Sequence, residues 1–200
     1  MFVLLFGDRR LWKPMMLTTS PIQLDVSTIL TFIKDLASYE KCLHLVEATE
    51  ELLLKSLSFP SSPDKGYAKT FLIIAPDDPS SSTTNGSING TSTKEHPAGM
   101  AMYYTTYSTW QSAPGVYLED LYVDKRYRGR GYGKALLSAL AKETQRIGGR
   151  RLQWSVLDWN ANARGFYKEM GGRELSEWVG VRVEGDKLER LANMCEDAKK

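Results

Sequence analysis

The chain has 200 residues, 42% of them hydrophobic, with 26 basic against 24 acidic side chains and a formal charge of +2. This suits one mixed domain with a sizeable core, and the even scatter of charge argues against a basic face for nucleic acid. Two distant cysteines, Cys42 and Cys195, with no histidine at metal spacing, argue against a disulfide framework and a zinc site and for a reducing compartment.

Residues 1–6 are apolar but lack a basic lead-in and are interrupted by Gly7, Asp8, Arg9 and Arg10. The stretch is poor as a secretory signal and too short to cross a bilayer, so a cytoplasmic chain without a membrane partner is expected. Residues 25–40 carry Ile29, Leu30, Ile33, Leu36 and Ala37 at helical spacing, with Asp25 and Ser27 available as caps. A second helix is expected from Thr49, whose hydroxyl can cap and whose next two residues are acids that complement the helix dipole. Residues 67–75 read as a strand. Residues 76–97 turn polar, with almost nothing to bury, and read as a mobile loop inserted into a domain that runs from 25 to 200, behind an N-terminal extension at 1–24 that holds a possible first strand.

Residues 98–107 and 116–123 suggest an antiparallel pair. Next comes "YRGRGYG" at 127–133, three glycines and two arginines in seven positions. Leu136, Leu137, Leu140, Thr144 and Ile147 then mark one face of a helix ending at Gly148 and Gly149. Residues 151–157 read as a strand, 162–170 as a helix, 178–183 as a strand and 186–195 as a closing helix. Strand, glycine turn, helix and strand between 116 and 157 make one crossover unit, which needs a parallel pair inside an otherwise antiparallel sheet. The fold class is therefore α+β.

A glycine-rich lead-in to a helix lets an anion reach the first N–H groups, which have no intrahelical partner and sit at the positive end of the dipole. Phosphate is the natural guest. A dinucleotide fold is disfavoured by the antiparallel first half, and a phosphate-binding loop of the Gly-Lys-Ser/Thr type is absent. A solvated surface turn is the bland competing reading.

The segment "RGRGYG" at 128–133 resembles the acetyl-CoA signature of the GNAT N-acetyltransferase superfamily. Its flanks, "VYLEDLYVDKRYRGRGYGKALL" and "WSVLDWNANARGFYKEMGG", with "LASYEK" at 36–41, are similar to the diamine (spermidine/spermine) branch and its small-molecule relatives. The resemblance covers 25–191 apart from the insertion at 76–97. It implies a mixed, mostly antiparallel sheet with one splayed parallel pair and flanking helices, acetyl-CoA as cosubstrate, no metal, and a homodimer. It further implies that the backbone of Arg128, Gly129, Arg130, Gly131, Tyr132 and Gly133, with Lys134, cradles the pyrophosphate. Leu121, Tyr122 and Val123 at the end of the preceding strand would hold the pantetheine arm. Asn160, Phe166, Tyr167 and Lys168 would complete the cofactor site, with Asn160 bonding the pantetheine and Tyr167 beside the sulfur. The first strand departs from the family pattern, since 18–24 lacks the usual Arg-Pro-Ala.

Acetyl transfer to an amine needs a neutral nitrogen, a polarised thioester and a proton for the departing thiolate. Glu119 is the candidate base, acting through water, and strict alternation along its strand sends it to the face opposite Asp120, so that only one of the two enters the cleft. Tyr167 is the candidate acid, because its phenol stays protonated at neutral pH; core packing by Ala163, Phe166, Tyr167 and Met170 competes with that role. Glu40, Glu119 and Asp120 are expected to attract a cationic acceptor, with Glu47 and Asp158 weaker, and Trp110 and Trp159 to wall its channel unless they merely pack. His44 and His96 receive no role. The expected activity is acetyl transfer to the primary amine of a small molecule, a polyamine, diamine or thialysine-like amino acid. A protein lysine or N-terminal acetyltransferase and a non-enzymatic acyl-CoA binder are the alternatives.

Overall fold

The computed structural model describes residues 16–18, 25–75 and 96–197. The expectations for 1–14 and for the loop up to residue 95 lie outside them. The chain forms two units, residues 1–155 and 156–200.

In the first unit a five-stranded sheet runs in the order β1 (Met16–Thr18), β2 (Lys69–Ala75), β3 (His96–Ser108), β4 (Ala113–Val123), β5 (Leu152–Trp154). The first four are antiparallel neighbours, and β5 pairs parallel to β4. That parallel pair is the one the crossover demanded: α3 (Tyr132–Arg146) carries the chain from β4 back to β5. His96 and Pro97, read from sequence as the end of the loop, already pair with Ala75 and Ile74 as the start of β3.

Both faces of the sheet are covered, so β2 reads as a nearly continuous apolar run instead of alternating. One face receives α1 (Val26–Tyr39) and α2 (Glu50–Ser56): Val26, Ile29, Phe32 and Leu53 pack with Leu72, Ile74, Met100, Met102 and Tyr122. The other receives α3, whose Leu136, Leu137, Leu140 and Thr144 are buried as their spacing predicted, although the helix begins earlier, at Tyr132. Phe71 and Tyr103 meet there with ring centroids 4.9 Å apart, and the Tyr103 hydroxyl hydrogen-bonds Glu143 of α3. Burial, reinforced by that carboxylate, pushes the Tyr103 phenol up and keeps it a donor.

Caps follow the chemistry unevenly. Thr49 accepts from the Leu52 N–H at 3.2 Å, as expected of an N-cap. Asp25 occupies the cap position of α1 with backbone dihedrals already near helical values, and its side chain makes no capping bond; the cap geometry needs an extended residue there.

In the second unit α4 (Ala161–Glu169) is followed by a left-handed Gly171, and the Gly172 N–H donates to the Tyr167 carbonyl at 2.9 Å, closing the helix end. Arg164 clasps Glu174 with two hydrogen bonds of 2.7 and 2.9 Å. The strand expected at 178–183 does not form: Trp178, Val179, Val181 and Val183 are exposed and belong to no ladder. Apolar alternation marks a strand only where a partner completes its hydrogen bonds. The chain ends in α5 (Asp186–Asp197).

The fully buried Leu140 anchors α3 to the sheet. Leu140→Ala is expected to lower unfolding free energy by about 3 kcal/mol, read as a fall in the urea midpoint.

Candidate active site

β4 organises the site. It is paired to β3 from Ala113 to Val123, yet to β5 only over Val116–Leu118. The parallel pairing ends there, and residues 119–123 of β4 have no β5 partner.

The turn that follows is built stepwise. Asp124 accepts from the Arg126 N–H at 2.9 Å and caps a single turn of 3-10 helix, Lys125–Tyr127. Gly129 (φ +75°) and Gly131 (φ +83°) then adopt left-handed backbone immediately before α3. A Cβ added at either glycine would meet nothing within 4 Å. Conformation, not crowding, therefore demands glycine, and the space in front of the backbone is open. The first helical bond runs from the Ala135 N–H to the Gly131 carbonyl at 3.0 Å, so the N–H groups of Tyr132, Gly133 and Lys134 precede it. The guanidinium groups of Arg126 and Arg130 each stand 5.5 Å from the Tyr127 ring. Exposed amides, a helix dipole and nearby cations suit an anion. The Tyr132 side chain itself is buried, leaving only its backbone to contribute.

The acids depart from strict alternation. Met102 pairs with Asp120 and Tyr103 with Leu118, so Glu119 is the extra residue of a β-bulge. Asp120 shares the α1 face with Met102 and Tyr122, while the charge of Glu119 is felt both by Asp120 and by Tyr104 on that same face. The bulge removes the strict alternation on which the expectation of a single carboxylate in the cleft rested. Burial, then the neighbouring charges of Glu119 and Glu40, push the Asp120 carboxyl up to about 6. Glu40, the C-cap of α1, is also held above the usual carboxylate range by burial. The structure thus brings Glu40, Glu119 and Asp120 together electrostatically.

Sequence reasoning missed the aromatic surroundings of these acids. Tyr104 stacks on Tyr117 with centroids 5.2 Å apart, and the Tyr117 hydroxyl hydrogen-bonds Ser155 at 2.6 Å. Alternating tyrosines in the two paired runs were the available signal. Trp110 is not brought to this cluster: it is fully exposed in the turn joining β3 to β4, and Asp120 lies roughly 20 Å along β4 from Ala113, where that turn ends.

In the second unit Asn160 caps α4, its Oδ1 accepting from the Ala163 N–H at 3.2 Å. Phe166 and Tyr167 lie half-buried on the helix, with ring centroids 5.4 Å apart, whereas Lys168 is exposed. Trp159 is half-exposed, and its backbone N–H donates to Asp158 Oδ1 at 2.7 Å.

The raised Asp120 pKa has a definite sign for stability. The folded state binds this proton more tightly than the unfolded chain, so the site costs nothing below the unfolded pKa near ~4, and the cost grows to a plateau above about 6. Asp120→Asn is expected to raise Tm by about 2–4 °C at pH 7.5 and to change it little at pH 3.5, measured by calorimetry.

The sequence profile described as "Acetyltransferase (GNAT) family" matches residues 46–172. An L-ornithine N5-acetyltransferase of Arabidopsis thaliana is 31% identical over 193 residues, covering 84% of this chain and 83% of its own. A thialysine N-epsilon-acetyltransferase of Bos taurus is 33% identical over 171 residues, covering 84% and 92%. Among solved structures, an integron cassette protein from the mobile metagenome of V. cholerae shares the fold at a TM-score of 0.65 and 22% identity, over 90% of this chain and 99% of its own.

Proposed function

We propose, from the premise that this chain belongs to the GNAT acetyltransferase family, that the end of β4 is where its enzyme chemistry takes place and that the acceptor is a small cationic amine of the thialysine, ornithine or polyamine kind. The chain is a GNAT-type N-acetyltransferase of small-molecule amines. The observation that carries the site assignment is the junction of two features on one strand end: a glycine turn opening α3 that suits an anion, and, a few residues before it, a bulge beside which Asp120 feels the charges of Glu119 and of Glu40 at the C-cap of α1.

The residues present fit acetyl-CoA, because the backbone amides at 128–134, with open space in front of Gly129 and Gly131, would hold its pyrophosphate. When bound, it supplies the activated acetyl group as a thioester. The edge of β4 beyond Leu118, lacking a β5 partner, supplies backbone groups that can orient the pantetheine arm.

A primary amine with a pKa near ~10 arrives as its ammonium. Glu40, Glu119 and Asp120 attract it, and the ammonium in turn offsets the cost of keeping Asp120 and Glu40 ionised in a half-buried setting. Glu119, on the exposed bulge, takes the amine proton through water. The family resemblance assigns to Tyr167 the proton that the departing thiolate would need and to Asn160 a hold on the cofactor chain; both belong to α4 of the second unit.

Incubation with acetyl-CoA and a panel of ornithine, thialysine, spermidine and a lysine peptide, read by product mass spectrometry, tests the acceptor class. A mono-acetylated small amine is expected. Acetylation of the peptide alone would move the assignment to proteins. Tyr167→Phe keeps the ring and deletes the hydroxyl, so the single-turnover rate is expected to fall by about 10²-fold with acetyl-CoA affinity unchanged. A normal rate removes Tyr167 as the acid.

A further inference from the structure

The acceptor acid Glu40 and the cofactor turn come from distant parts of the chain, and two contacts join them. Asp35, on the last turns of α1, accepts a hydrogen bond from the Tyr122 hydroxyl at 3.1 Å. One turn later the Tyr39 ring stands 5.7 Å from the Arg128 guanidinium, at a distance where a cation is attracted to the ring face. Arg128 is held from the other side by the Val123 carbonyl, which accepts from its Nε at 3.0 Å. Tyr122 is itself clamped in the core against Phe32 of α1, with centroids 5.1 Å apart. Arg128 opens the glycine turn, and Glu40 directly follows Tyr39.

The Arg128 side chain therefore touches both the end of β4 and the last turn of α1. We propose that Tyr39 is a positioning residue that locks the cofactor turn to the end of α1, a helix that Asp35 ties to β4 through Tyr122, so that occupancy of the turn and the placement of Glu40 are coupled. Tyr39 acts through Arg128 and not on the reacting atoms. The coupling is reciprocal: whatever steadies the turn steadies the acceptor carboxylate, and an acceptor seated at Glu40 tightens the hold on acetyl-CoA. The inference rests on the acetyl-transfer reading for the identity of the turn's ligand, but the contacts exist without it.

The test compares Tyr39→Leu, Tyr39→Phe, Arg128→Gln and the double variant Tyr39→Leu/Arg128→Gln in the full-length protein. Calorimetric titration with acetyl-CoA is expected to show Tyr39→Leu weakening binding about 5-fold and Tyr39→Phe, which keeps the ring face, by less than about 2-fold. In the Arg128→Gln background Tyr39→Leu is expected to add less than about 2-fold, since its partner is gone. Hydrogen exchange on the protein without ligand supplies the independent arm: the amides of 128–133 and of Glu40 are expected to exchange faster together in Tyr39→Leu, with Tm unchanged, and to be restored in Tyr39→Phe. Unchanged exchange at both places in a folded Tyr39→Leu, or full additivity with Arg128→Gln, overturns the lock. Should the wild type bind no acetyl-CoA while Tyr39→Leu still loosens both segments, the ligand assignment fails and the lock stands.

Discussion

Everything in the site depends on how β4 ends. Hydrogen bonds to β3 hold it along its whole length, while those to β5 stop at Leu118. The crossover helix α3 returns the chain to the early part of β4, and β5 pairs there over only three residues, Leu152–Trp154. The remainder of β4 is left with one edge unpaired by β5, beside the positive end of the same helix. In the proposed function this edge, a liability elsewhere, is where the extended pantetheine arm would lie. The glycines at 129 and 131 complete it by letting the backbone turn left-handed into α3 without a side chain in front of the amides.

The bulge at Glu119 supplies the second half of the chemistry. One extra residue in the strand resets which face the following side chains take, placing Asp120 among buried apolar groups on the α1 face. Placing a carboxylate there is costly, and its pKa rises accordingly. The cost is tolerable where a cation is expected to arrive. Two acids kept partly out of water, Asp120 and Glu40, with the exposed Glu119 beside them, suit an ammonium better than a neutral molecule.

Local signals of short period were legible in the sequence. The helix face of α3, the Thr49 cap, the crossover that forces a parallel pair, and the glycine turn all follow from residues close together in the chain and appear where expected, whereas the buried face of α1 centres on Val26, Ile29 and Phe32, with the expected Leu30, Ile33 and Leu36 only partly buried. What the sequence concealed was set at long range. Glu119 and Asp120 looked like opposite faces because a bulge is decided by the partner strand, not by the strand itself. Asp35 and Tyr122 lie 87 positions apart, so nothing near either reveals the bond. Trp110 belonged in a channel by residue type alone, and the hairpin puts it at the far end of β4. The apolar residues at 178–183 alternate well enough for a strand, yet alternation states a preference and a ladder needs a partner.

The central claim is that the backbone between Arg128 and Lys134 receives the pyrophosphate of acetyl-CoA. Amide chemical shifts of the isotopically labelled protein, followed as acetyl-CoA is added, test it most directly. The account predicts that the largest changes fall on the N–H groups of 128–134 and on the end of β4 from 119 to 123. Saturable binding whose largest changes lie elsewhere, with these amides unmoved, would contradict it.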